Sequence, residues 1–380
     1  MASPLSIRKG TSQSRDPEQA AQELHEALAQ PDIRFAVFYC AADYDLPALG
    51  AALRRRFGDV NLIGCTTAGE ITPQGYIAGA LTGFSLASTD LEVSTLAIPL
   101  DPFDSAHCAR DVTGLVEAFG QRGTRPPREA DTFAFFLIDG LAMQEELVVS
   151  CVYQQLQGIS LVGGSAGDDT RFGATWLYHQ GRFQQNIALL TLVRTQLPFR
   201  VFRTQHFVQS DKRMVVTRAD PAQRVVHEIN ARPAAREFAR LLDLRIAELT
   251  PMIFATHPVV VRIGGQHFVR SIAKVNEDES LTFFCAIDEG IVLTIAQGVD
   301  MVDNLQRAFD GVRAEIGPPQ LVLGCDCILR RLETEREGIK ERIGAIFQDN
   351  NVIGFATYGE QFNSMHVNQT FTGVAIGGGQ

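Results

Sequence analysis

The chain has 380 residues, 45% of them hydrophobic and 21% charged, with a formal net charge of −10. This is an ordinary globular composition with core enough for two domains; it excludes a fibrous or disordered chain, and the lack of any Lys/Arg block able to follow a phosphate backbone argues against nucleic acid as a partner. Seven cysteines, an odd number spread over the whole length, do not make a disulfide framework and fit free thiols in a reducing compartment.

Residues 1–20 are polar and have no apolar h-region, and apolar runs such as residues 187–193 fall far short of the roughly 20 residues that span a bilayer. A cytoplasmic protein without membrane insertion is expected. Asp16-Pro17-Glu18-Gln19 puts an N-cap, a first-turn proline and a capping-box glutamine ahead of apolar Ala21, Leu24 and Leu28, which predicts the first helix. Residues 33–40 then read as a strand and 47–57 as a helix. Residues 60–63 form a second strand running into Gly64-Cys65-Thr66-Thr67-Ala68-Gly69-Glu70, completing a βαβ unit.

The same order returns about a hundred residues on. Strand 132–138, helix 144–156 and strand 159–162 run into Gly163-Gly164-Ser165-Ala166-Gly167-Asp168-Asp169. A fainter third echo has strand 320–324, helix 331–347 and residues 352–354 leading into Phe355-Ala356-Thr357-Tyr358-Gly359-Glu360. Between the second and third copies lie short strands at 213–217, 224–229, 258–263, 266–274, 281–286 and 291–296. Gly264-Gly265 there is a hairpin signal that would pair Arg262 with His267. The pattern predicts a mixed α/β fold of duplicated βαβ units with a strand-rich central segment. An extension (1–30) would precede two parts, 31–197 and 198–380.

The two glycine turns can cradle a carboxylate through Gly64, Thr66, Gly163 and Ser165, or can simply join strand to strand; Glu70 and Asp168 would repel a bare phosphate. Gly163-Gly164-Ser165-Ala166-Gly167 fits a nucleophile elbow, but turn residues rather than a helix follow it, so a hydrolase using Ser165 or Cys65 is a minor alternative. Cys325-Asp326-Cys327 places two thiols on one face of an extended chain, as structural thiols or a partial metal site. In residues 365–371 the period-2 pattern sets His366, Asn368 and Thr370 on one face, facing water or a pocket, with His257 and His267 as second choices among the histidines.

The run Leu62-Ile63-Gly64-Cys65-Thr66-Thr67-Ala68-Gly69-Glu70-Ile71 resembles the signature of the FIST N domain. Gly354 to Glu360 with Asn368-Gln369-Thr370 resembles the close of the FIST C domain. Pro258 to Arg262, Phe268-Val269-Arg270-Ser271 and Cys327-Ile328-Leu329-Arg330 resemble further FIST C elements, so the likeness spans nearly the whole chain. It implies an intracellular sensory module of bacterial signal transduction. The NosP-type branch, single-chain haemoproteins that sense nitric oxide and act on a partner histidine kinase, is the part of the family it looks most like. That resemblance implies noncovalent haem b with His366 as axial ligand and nitric oxide as the gas; Val367, which separates His366 from Asn368, departs from the family's pattern. The other reading is a FIST sensor of a small polar ligand such as an amino acid, held by the glycine turns and by Arg262 or Arg270. A non-enzymatic sensor is expected, and the sequence leaves oligomeric state open, a homodimer included.

Overall fold

The computed structural model describes residues 5–122, 126–263 and 265–377. Within them one structural plan occurs three times. The first copy runs β1 (Ser6–Ser12), α1 (Pro17–Leu28), β2 (Ile33–Ala41), α2 (Leu46–Phe57), β3 (Leu62–Thr67), the short hairpin β4 (Glu70–Thr72) and β5 (Gly75–Ile77), and β6 (Leu81–Ala87). The second is β7 (Glu92–Pro99), α3 (Ser105–Arg122), β8 (Thr132–Ile138), α4 (Glu145–Gln155), β9 (Leu161–Ser165), the hairpin β10 (Leu177–His179) and β11 (Arg182–Gln184), and β12 (Ile187–Arg194).

The third copy begins with β13 (Phe199–Thr204) and is interrupted by an inserted sheet. The insert comprises β14 (Phe207–Asp220), β15 (Val225–Ile229), β16 (Arg232–Pro233), α5 (Ala234–Leu241), α6 (Pro251–Thr256), β17 (Val259–Ile263), β18 (Gln266–Arg270), β19 (Ile272–Val275), β20 (Leu281–Phe283) and β21 (Val292–Gly298). The copy then resumes with α7 (Met301–Ile316), β22 (Pro319–Cys327), α8 (Ile328–Arg336), α9 (Lys340–Asp349), β23 (Val352–Thr357), the hairpin β24 (Glu360–Phe362) and β25 (Met365–Val367), and β26 (Phe371–Gly377).

Pairing shows how the copies interlock. Each contributes four strands to its own six-stranded sheet, in the orders β1-β6-β2-β3, β7-β12-β8-β9 and β13-β26-β22-β23. The short hairpin of each is given away: β4–β5 extends the third sheet beside β23, β10–β11 extends the first beside β3, and β24–β25 extends the second beside β9. The exchange is cyclic. The three sheets turn one face each to a common core, where Val37, Phe84, Phe135, Leu189, Leu323 and Val374 are buried together. Helices cover the outer faces: α1 and α2 on the first sheet, α3 and α4 on the second, α7 and α9 on the third. Apolar strands buried on both faces are the consequence, as in β8 with seven buried residues in a row.

Local expectations hold where capping chemistry is strong. Asp16 accepts the N–H of Gln19 at 2.8 Å and caps α1. Arg262 pairs with His267 across β17 and β18; Gly265 has a φ of +82°, while Gly264 lies outside the described residues. The single helix expected over 331–347 is two, α8 and α9, separated around Gly338 at φ +64°. No helix among the described residues is long and apolar enough to cross a membrane.

Candidate functional site

The glycine turns are the seams of the interlock. Gly64, Gly163 and Gly354 occupy equivalent points on β3, β9 and β23, where the neighbouring strand approaches too closely for a side chain. A Cβ would fall 2.6 Å from the Phe38 carbonyl oxygen, 1.8 Å from that of Phe136 and 1.8 Å from that of Gly324, respectively. The polar groups beside them are taken. Thr66 receives the Trp176 N–H on Oγ1 at 3.0 Å and the Gly167 N–H on its carbonyl at 3.0 Å. Ser165, with no exposed surface, accepts the Gln361 side-chain N–H at 3.0 Å and donates its own backbone N–H to the Gly359 carbonyl. No helix follows Ser165. Cys65, Cys325 and Cys327 are buried, and burial pushes all three thiols well up. No group of three or more metal-ligating side chains occurs among the described residues.

Beyond the third seam the β24–β25 hairpin and the loop after it cover a buried polar cluster, termed the Glu360 chamber, several of whose atoms have no hydrogen-bond partner. Glu360 opens the hairpin; its Oε2 accepts the backbone N–H of Thr370 at 3.1 Å and its hydroxyl at 2.6 Å, and its Oε1 has none. Gln361 Oε1, both amide atoms of Asn368, Arg203 Nη1, Gln205 Oε1 and Arg330 Nη2 are likewise buried and unpaired. Buried polar atoms are overwhelmingly satisfied in native proteins, and each orphan costs about 1–3 kcal/mol.

The charges are unbalanced. Arg330, fully buried, is held by Asp326 at 2.6 Å and by His206 Nδ1 at 2.7 Å. Arg203 lies over the rings of Phe268 and Phe362, at 4.5 and 5.5 Å from their centroids, and Arg270 donates to the His366 carbonyl at 3.0 Å. Among the described residues neither forms an ion pair. Desolvation and the neighbouring Arg270 push the Arg203 guanidinium down from its ordinary range. Burial drives the Glu360 carboxyl well up, which favours its protonated form.

Of the residues singled out in the sequence, the chamber gathers His366, Asn368, Thr370 and Arg270. The strand carrying the first three stops at Val367, because Gln369 takes φ +50°; the alternation fails there and all of residues 366–370 are buried. Arg262 is exposed on β17, and His267 is half-buried opposite it. His257 ends α6 with Nδ1 against Thr256 Oγ1 at 3.0 Å. Arg203, Arg330 and Glu360 are absent from the sequence-derived set. The signal that finds Glu360 is its recurrence: Gly69-Glu70 and Gly359-Glu360 occupy the same point of the plan, and Glu70 likewise receives the N–H that follows its hairpin, that of Ala80.

His366 is 2% exposed, its Nδ1 lies 3.1 Å from Gln361 Nε2, and burial pulls it down to about 4, so the ring is neutral. Gly359 packs against the opposite edge: a Cβ there would sit 2.2 Å from Cε1 and 2.7 Å from Nε2. Gln361 thus lies on one edge of the ring and Gly359 on the other. The neutral ring has a measurable consequence. From pH 6.5 down to about 4 the unfolded histidine takes up a proton that the folded one refuses, so its stabilising contribution is present above 6.5 and lost as pH falls through that window. The full loss is roughly 3 kcal/mol. Urea unfolding of the wild type is expected to steepen in this window relative to His366→Gln, and parallel pH profiles would exclude a buried neutral histidine.

The sequence matches the FIST N domain over residues 34–232 and the FIST C domain over residues 234–363. An uncharacterized protein of Methanocaldococcus jannaschii is similar, 22% identical over a 357-residue alignment covering 83% of this chain and 67% of the relative.

Proposed function

The chain belongs to the FIST family, whose domains sense small ligands in signalling, and on that premise we propose that it is a non-enzymatic cytoplasmic sensor of a small carboxylate-bearing polar molecule, an amino acid being the simplest class. The observation that carries this reading is the set of unpaired buried atoms. Arg203 Nη1 and Arg330 Nη2 offer donors to a carboxylate, while Gln361 Oε1 and Asn368 Oδ1 offer acceptors to an amine or hydroxyl. Arg203 and Arg270, which form no ion pair among the described residues, make an anionic group the favoured occupant. The walls also suit signal transfer, because they belong to different parts of the chain. Arg203 and Glu360 come from the third copy, Arg270 from the inserted sheet, and Arg224 of that sheet grips Glu145 and Glu146 on α4 of the second copy, at 2.5 and 2.9 Å. A ligand that draws these walls together biases their relative position, which a separate signalling protein such as a histidine kinase would read.

The neutral imidazole of His366 favours a second reading, haem b with nitric oxide as signal, and the packing of Gly359 stands against it. One experiment separates the two. Melting curves of the full chain with single amino acids and short dicarboxylic acids are expected to show one class raising Tm, by about 2.7 kcal/mol of stabilisation at a hundred times its Kd. A Soret band in protein from haem-replete cells that shifts with nitric oxide, together with indifference to every acid tested, would replace the first reading by the second.

A further inference from the structure

The threefold plan gives the Glu360 chamber a counterpart in the first copy. Gly69-Glu70 stand where Gly359-Glu360 do, Tyr76 where His366 does, and Ala78-Gly79 where Asn368-Gln369 do. Loss of both amide side chains leaves room: a cavity of about 280 Å³ opens above Glu70, with Arg15, Asp43, Asp169, Arg171 and Arg331 around it. The three arginines come one from each copy. Arg15 follows β1, Arg171 follows β9, and Arg331 lies on α8.

Two of them are seated over glycines that a side chain would close. Gly79 has φ +77°, and a Cβ there would fall 2.2 Å from Arg15 Nη2; Gly69 has φ +129°, and a Cβ would fall 2.7 Å from Arg331 Nη1. Arg331 is nine-tenths buried and is fixed by the Ala68 carbonyl, by Asp169 at 3.1 Å and by Glu335 at 3.0 Å. Arg15 pairs with Asp43 at 2.7 Å. Arg171 turns its Nε to the Asp168 carbonyl at 3.0 Å and, among the described residues, forms no ion pair. Three guanidiniums thus face two exposed carboxylates and Glu70.

We propose that this cavity is a second ligand site, distinct from the Glu360 chamber, for a small molecule bearing an oxyanion, either a carboxylate or a phosphate. Its floor carries a built-in dependence on pH. Burial raises Glu70 to about 7 against the pull of Thr67, of the Ala80 N–H and of Arg331, with Asp43 pushing the same way as burial. Cys40 on β2 and Tyr44 before α2 also face it, both pushed up by burial and by the Glu70 charge. Below pH 7 the carboxyl is neutral and the cavity favours an anion; above pH 7 it is ionised and repels one. Arg330 and Arg331, consecutive on α8, serve the two chambers separately.

The test is calorimetric titration of the full chain with succinate and, separately, with inorganic phosphate. One of the two is expected to bind, and which one identifies the oxyanion. Arg171→Ala, an exposed change that leaves the fold alone, is expected to weaken binding by about tenfold, the value of one charge-assisted contact. Arg262→Ala, exposed on β17 and not part of the cavity lining, leaves it unchanged. With succinate, affinity falls on going from below to above pH 7, and Glu70→Gln removes that fall. The proposal is overturned if neither probe binds at millimolar concentration, if Arg171→Ala binds like the wild type, or if Arg262→Ala is the variant that loses binding.

Discussion

Arg330→Ala is expected to lose about 3–5 kcal/mol of folding stability, among the largest effects of any single substitution outside the apolar core. Arg330 and Asp326 are both fully buried, and the pair holds Tyr76 through a hydrogen bond from its hydroxyl to Asp326. Removing the guanidinium strands the Asp326 carboxylate beside Tyr76 and Glu360, without a cation and in low dielectric. It also cuts the link to His206, which Glu333 holds from the other side at 3.0 Å. The double change Asp326→Asn with Arg330→Met removes both charges and should recover most of the loss, because the penalty comes from the uncompensated partner rather than from the missing attraction. Denaturant unfolding with circular dichroism measures both. A loss below about 1 kcal/mol for Arg330→Ala would mean that water reaches Asp326 and that the pair is not structural.

The βαβ units of the first two copies, over residues 33–63 and 132–162, are legible because each is written in one uninterrupted stretch, whereas β1, β7 and α3 are not among the elements the sequence predicts. Strand 132–138 needs only its own apolar run to be recognised, and α1 only its cap. The third copy is legible as an echo alone, since its first strand, β13, is separated from its first helix, α7, by the whole inserted sheet. What no periodicity records is the exchange of hairpins. Whether β24–β25 pairs with its own copy or with β9 depends on contacts some two hundred residues apart, and the sequence pattern is the same in both cases. The site inherits this blindness. Arg203 sits on a strand that reads as a domain boundary, and Arg330 sits just ahead of a helix that the sequence predicts as continuous to Phe347. Only the break at Gly338 shortens that helix into α8, which carries Arg330 toward one chamber and Arg331 toward the other. His366 and Asn368 are found for a reason that does not hold, the alternation of a strand that ends between them. They are nonetheless in the chamber, because a short polar loop that must be buried in an interlocked fold has few places to go except over a polar site.

Arg203→Ala is expected to separate ligand binding from folding. Its guanidinium is desolvated, is repelled by Arg270 and forms no ion pair among the described residues. What holds it in the free protein is contact with Phe268 and Phe362, worth about 0.5–2 kcal/mol, set against the cost of keeping Nη1 buried and unpaired. These oppose each other, so the stability of the free protein should change by less than about 1 kcal/mol. In the complex the balance reverses. A ligand carboxylate gives Nη1 its partner in a site of low dielectric, where a charge-assisted hydrogen bond and the relief of a buried cation together are worth about 3 kcal/mol or more. The variant should therefore bind the carboxylate class that stabilises the wild type at least about a hundredfold more weakly, with Arg203→Lys recovering part of the loss, since a point charge replaces the fork. Arg330→Ala should show the opposite profile, a large fall in stability with a loss of affinity that follows from it. If Arg203→Ala instead unfolds the free protein by several kcal/mol and the folded fraction binds normally, Arg203 is a structural cation and the carboxylate must be held elsewhere in the chamber.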